Sequence, residues 1–192
     1  MAIKIFVDQG HNPQNPNAGA EGNGYREQDI NYEVGVRLAE LLEADPNFEV
    51  RLSRNTPTES LGTSNTTSLR ARVNAANEWG ADFFISLHCN ASAIESASGS
   101  EGYAYSRASQ GYLMGENILY WMNIRTGLAN RGMFVRPSLY VLRKTTMPAV
   151  LIEMGFITNY DDAILLATRP ELFAVGIYDG IRQYYGFTVP ES

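Results

Sequence analysis

Asp82-Phe83-Phe84-Ile85-Ser86-Leu87 runs straight into His88-Cys89-Asn90, and the reading of that stretch decides the fold. It is apolar on both alternating faces, as expected of a strand in the middle of a sheet covered on both sides. Working back toward the N-terminus, residues 68–79 have helical spacing, with Leu69, Val73 and Ala76 inward. A polar loop at 58–67 precedes them, and before it come a strand at 48–52 and a helix at 26–44 carrying Ile30, Val34, Leu38 and Leu41 on one face. Residues 3–7 form the first strand, which ends in Asp8-Gln9-Gly10-His11 and a Gly/Asn/Pro-rich loop at 12–24. Working forward from Asn90, a Ser/Ala/Gly-rich loop at 91–100 leads to a strand at 102–105 and a helix at 111–124. Strands at 139–142 and 149–152 and helices at 161–167 and 172–185 complete the chain. This alternation predicts an α/β fold: one three-layer domain over residues 1–192, with a mostly parallel sheet and helices on both faces.

Composition narrows the function. Of 192 residues, 44% are apolar and 19% charged, a globular balance with no repeat or low-complexity segment. A formal charge of −6 argues against nucleic acid as the main partner, although Arg125, Arg131, Arg136, Arg143 and Lys144 crowd one stretch. The single cysteine, Cys89, rules out an internal disulfide framework and a cysteine-built metal cluster. No apolar run is long enough to span a membrane. No signal peptide precedes the first strand, so export by another route, or a leader outside this sequence, is expected.

The chain has two histidines, and both follow predicted strands: His11 after 3–7 and His88 after 82–87. In open α/β sheets ligands bind at the carboxyl ends of the strands, so parallel strands would bring both imidazoles to one edge. The strand at 149–152 ends at Glu153, an acid that is costly at an apolar strand end unless paired or metal-bound. Glu27 lies on the same helical face as Ile30 and Val34, and so projects inward at the first turn after the His11 loop. Two imidazoles and a carboxylate make a common catalytic zinc set. Each residue also has a plainer role: a hydrogen-bonded loop histidine, a carboxylate favouring a helix dipole at Glu27, an ion pair between Glu153 and an arginine such as Arg131. Only the functional reading predicts that they converge. Cys89 points away from His88 on extended backbone and suits a small buried residue better than a nucleophile. Glu21, in the 12–24 loop, is a spare ligand candidate, while Tyr103, Tyr105 and Trp121 read as packing.

Four ordered blocks resemble the zinc N-acetylmuramoyl-L-alanine amidase family of the amidase-3 type. Asp8-Gln9-Gly10-His11 is similar to its Asp-x-Gly-His signature, Glu27-Gln28-Asp29-Ile30-Asn31 to its Glu-Lys-Asp-x-Asn block, and Ser86-Leu87-His88-Cys89-Asn90 to its Ser-Leu-His-x-Asn block. Asn130-Arg131-Gly132, Tyr140-Val141-Leu142-Arg143 and the run from Met147 to Asn159 match its C-terminal blocks, so the likeness covers roughly 3–186. The resemblance implies a six-stranded sheet, Zn²⁺ held by His11, Glu27 and His88, and Glu153 as the catalytic carboxylate. It implies hydrolysis of the amide bond between the lactyl group of N-acetylmuramic acid and the L-alanine of the stem peptide, with action at the cell wall. Asn90 and Arg131 are then candidates for positioning substrate, Arg131 against a stem-peptide carboxylate. Asn12-Pro13 departs from the two glycines that often follow the histidine in the family. The 91–100 loop is too short for the inhibitory helical insertion that some members carry. Peptidoglycan is the expected partner, and the sequence names no activator. Two rival readings share these residues: a zinc peptidase cutting within the stem peptide, and a wall-binding protein that has lost catalysis.

Overall fold

A computed structural model describes residues 2–189; Met1, the start of the stretch in which a leader was sought, lies outside them. The first half runs β1 (Ile3–Gln9), a short hairpin of β2 (Glu21–Gly22) and β3 (Tyr25–Arg26), α1 (Glu27–Glu43), β4 (Phe48–Leu52) and α2 (Asn65–Trp79). The second half runs β5 (Phe83–Asn90), β6 (Ser100–Ala104), α3 (Gln110–Thr126), β7 (Asn130–Val135), α4 (Tyr140–Lys144), β8 (Ala149–Phe156), α5 (Tyr160–Thr168) and α6 (Pro170–Tyr184). Six strands form one sheet in the order β4-β1-β5-β8-β6-β7. The first four of these are parallel; β6 runs antiparallel to β8, and β7 runs parallel to β6.

Side-chain alternation along the strands sorts the helices into two layers. Ile5 and Val7, Phe83 and Ile85, and Val150 and Ile152 point into a core built with α1, α3 and α6. Phe6, Phe84 and Leu151 point the other way, against Val73 and Ala76 of α2 and Val141 and Leu142 of α4. Phe6 and Phe84 stack there with ring centroids 5.6 Å apart. Burying such a side chain contributes about 1.5–3 kcal/mol. α3 and α6 approach closely because α6 offers glycine at the contact: a Cβ on Gly180 would lie 2.5 Å from Ile118 Cα.

Three expectations are corrected. Residues 139–142 are not a strand: Tyr140–Lys144 form a single helical turn whose Val141 and Leu142 cover the sheet. The sixth strand is instead β7, an edge strand that is mostly exposed and so lacks the alternating apolar signal. The helix expected at 68–79 begins earlier, at Asn65, because the Ser64 side chain accepts from Thr67 N–H while the Thr67 hydroxyl reaches back to the Ser64 backbone.

Candidate active site

β1 and β5 are parallel neighbours with Gln9 opposite Leu87, so the residues that follow lie side by side at one edge of the sheet. His11 lies past the end of β1 on left-handed backbone, φ 71°, a conformation that costs energy in any residue but glycine. His88 lies within β5, which runs two residues beyond it, and Glu153 lies within β8 as its register partner. Glu27 is the first residue of α1, 4% exposed, and projects over the same edge.

The three predicted ligands meet. Glu27 Oε1 lies 3.2 Å from His11 Nε2 and 3.0 Å from His88 Nδ1, and the two imidazole rings are edge to face at 4.8 Å. One donor atom from each residue falls within 4.8 Å of the others. The carboxylate is aimed by backbone donors: Ala20 N–H binds Oε2 at 2.8 Å and Cys89 N–H binds Oε1 at 3.1 Å. Two glycines make the convergence sterically open. A Cβ on Gly10 would lie 2.5 Å from the His88 ring, and one on Gly19 would lie 2.8 Å from Glu27 Oε2. Burial works against ionisation of Glu27, but the two histidines more than offset it and hold the carboxyl below its usual range.

The donor set fits a catalytic zinc site: two imidazoles, one carboxylate and no thiolate. His11 Nδ1 and Glu153 Oε2 are buried with no partner among the described residues, polar atoms whose burial calls for a further partner at the site. Glu153 is pushed up to about 8, first by burial and then by the negative charges of Glu27 and Glu101.

Glu101, on β6, is the register partner of Glu153 on its other side and organises the rest of the edge. It accepts from Asn90 Nδ2 at 2.8 Å, the Tyr103 hydroxyl at 2.5 Å and Arg131 Nε at 2.8 Å. Burial raises its carboxyl, and these donors overcome that and hold it below the usual range. Arg131 therefore pairs with Glu101, not with Glu153; its guanidinium lies 5.0 Å over the Phe156 ring and its side chain stays 41% exposed. Asn90 Oδ1 accepts from Ala91 N–H, so both ends of its amide are used within the protein. Glu21 stands away from the cluster, 3.8 Å from Arg26 Nε and largely exposed. Cys89 is buried in the core, and burial raises its thiol pKa. The loop at 91–99 holds no helix, and Asp162 fixes it through Ser98 Oγ at 2.7 Å and Gly99 N–H at 3.0 Å.

Sequence reasoning missed Glu101, Tyr103, Asp8 and Arg72 as parts of this edge. Glu101 has a usable signal, since its acid stands in β6 one residue before Gly102 with the same parity as Tyr103. Arg72 has none, because an arginine on a helix is ordinarily a surface residue.

The family model described as N-acetylmuramoyl-L-alanine amidase (Amidase_3) matches residues 5–183. The chain is 36% identical over 185 residues to the N-acetylmuramoyl-L-alanine amidase LytC of Bacillus subtilis, which covers 94% of this chain and 35% of that protein. It is also 36% identical over 167 residues to the amidase CwlM of Bacillus licheniformis, covering 84% of this chain and 59% of that one. It therefore spans only part of the length of these relatives. The solved catalytic domain of the amidase CwlV from Bacillus (Paenibacillus) polymyxa superposes with a TM-score of 0.83 at 29% identity, covering 97% of this chain and 99% of that one. With its sheet order, its His/Glu/His cluster and this match over most of its length, the chain belongs to the Amidase_3 family of N-acetylmuramoyl-L-alanine amidases.

Proposed function

We propose that this chain is a zinc-dependent N-acetylmuramoyl-L-alanine amidase, hydrolysing the amide bond between the lactyl group of N-acetylmuramic acid and the L-alanine of peptidoglycan stem peptides. The observation that carries the reading is the meeting of His11, Glu27 and His88 donor atoms within 4.8 Å, with Glu153 in register beside His88. Family membership and the relatives' names support the choice of substrate. These residues would hold Zn²⁺, which when bound supplies Lewis acidity to polarise the scissile carbonyl and to acidify the attacking water.

The protein's own part follows from position and charge. Glu153, in register beside His88, takes a proton from the attacking water and returns it to the departing amine of L-alanine. The Ala20 and Cys89 amides each donate to one oxygen of Glu27 and favour its charged form, which suits a ligand and not a proton carrier. Arg131, fixed through Nε and still 41% exposed, offers its charge to a stem-peptide carboxylate. Asn90 contributes by holding Glu101 and, through it, Arg131. The site of action is the cell wall or the spore cortex that such a substrate builds. No helix among the described residues is long and apolar enough to cross a membrane.

Mass spectrometry of muropeptides digested by the purified chain tests the assignment. Release of intact stem peptides beginning with L-alanine is the expected result. Products cut within the peptide would make the protein a peptidase, and binding to peptidoglycan with no product would make it a wall-binding protein.

A further inference from the structure

Arg72 is 1% exposed, yet both terminal nitrogens of its guanidinium bind groups from the edge where the histidines emerge, and only Nε has no hydrogen-bond partner among the described residues. Nη1 donates to Asp8 Oδ1 at 2.7 Å, to Gln9 O at 2.6 Å and to Ser53 Oγ at 3.3 Å. Nη2 donates to His11 O at 2.5 Å and to Asn12 Oδ1 at 3.1 Å. Asp8 turns its other oxygen across the sheet to accept from Ser86 Oγ at 2.7 Å, two residues before His88. One buried ion pair thus spans the two strands that deliver the two imidazoles, and it binds the carbonyl of the residue held at φ 71°.

A buried charge pair is seldom the most stable filling for a core, because desolvation offsets most of its attraction. A geometric task explains it better. The segment at 10–20 that leaves β1 lies outside the strands, and a planar guanidinium can gather these five backbone and side-chain acceptors where an ammonium, with three donors, cannot. We infer that Arg72 and Asp8 are positioning residues that preset His11 and His88 for the metal. They raise metal affinity through the backbone that carries the ligands, and neither touches metal or substrate. The inference rests on the metal site proposed above.

The test measures zinc affinity by competition with a chromophoric chelator on the full chain, for wild type, Arg72→Lys, Arg72→Met and Asp8→Asn. A control, Ile177→Ala, removes a buried residue of α6 remote from this edge and is compared by thermal unfolding of the metal-free proteins. Positioning predicts that the Arg72 and Asp8 variants bind zinc about 10- to 100-fold more weakly, the range for groups that orient metal ligands. Ile177→Ala should keep wild-type affinity at a comparable loss of melting temperature, and activity lost in Arg72→Lys at limiting zinc should return at excess zinc. If Arg72→Met does not fold, Arg72→Lys, which keeps the buried charge but not the fork, carries the comparison. Wild-type zinc affinity in Arg72→Lys and Asp8→Asn would overturn the inference and leave the metal site standing. A wild type that binds no zinc would overturn the metal site itself, and the inference with it.

Discussion

His88 and Glu153 are register partners on adjacent parallel strands, β5 and β8, so an imidazole and a carboxyl sit side by side on one face of the sheet. Glu101 continues the row on β6. The sheet itself therefore fixes the spacing between the proposed ligand His88 and the proposed proton-carrying acid Glu153, with no loop in between. This separates the work of Glu153 from that of the ligands, and the two can be tested apart.

Glu153→Gln should retain about as much zinc as wild type while losing about 10²- to 10⁴-fold in turnover, the usual contribution of a general acid–base group. Elemental analysis and muropeptide release, run on one preparation, read both quantities. Loss of zinc in this variant would make Glu153 a ligand and overturn the division of roles.

The same carboxyl predicts a pH dependence of stability in the metal-free protein. Burial and its acidic neighbours raise Glu153 from 4.5 to about 8 in the folded chain, so between those values the folded state binds the proton more firmly than the unfolded state. The stabilising contribution is complete below about 4.5 and is lost as the pH rises through about 8. Urea unfolding at pH 5 and pH 9 should show wild type losing on the order of a few kcal/mol more than Glu153→Gln. Equal losses in both proteins would show that Glu153 is not perturbed.

Gly10→Ala should weaken zinc binding more than tenfold, because the added Cβ would lie 2.5 Å from the His88 ring and 2.6 Å from Leu87 O. Gly180→Ala, whose added Cβ would meet Ile118 where α3 and α6 pack, serves as comparison for crowding away from the site and should keep its zinc. Isothermal titration of the metal-free variants measures the difference, and equal affinities would remove steric access to His88 as the role of Gly10.

Arg131→Ala should raise KM for muropeptides bearing a free stem carboxylate by about 10- to 100-fold, the loss expected for a charge-assisted hydrogen bond. Zinc content and turnover at saturation should change little. Steady-state kinetics on substrates with free and amidated carboxylates check it: the variant should lose discrimination between them, and an unchanged preference would assign Arg131 to structure alone.

What the sequence disclosed follows from where its signals are strong. β5 is legible because both faces are buried, and His11, Glu27 and His88 because strand-end and helix-face positions converge once the strands are parallel. Residues 139–142 mislead because four residues are too few to separate a helical from a strand period, and Val and Leu serve either. β7 escapes because its edge position relieves it of apolar alternation. The Asp8–Arg72 pair is a strand-to-helix contact between residues 64 apart and the Glu153–Glu101 pairing comes from strand register, so neither pairing is encoded by a local pattern.

Metal content by elemental analysis on wild type, His11→Ala, Glu27→Ala and His88→Ala tests the central claim most directly. The account predicts about one zinc per chain in wild type and loss of that zinc in all three variants. Wild type that neither retains zinc when purified without chelator nor takes it up on addition would contradict it.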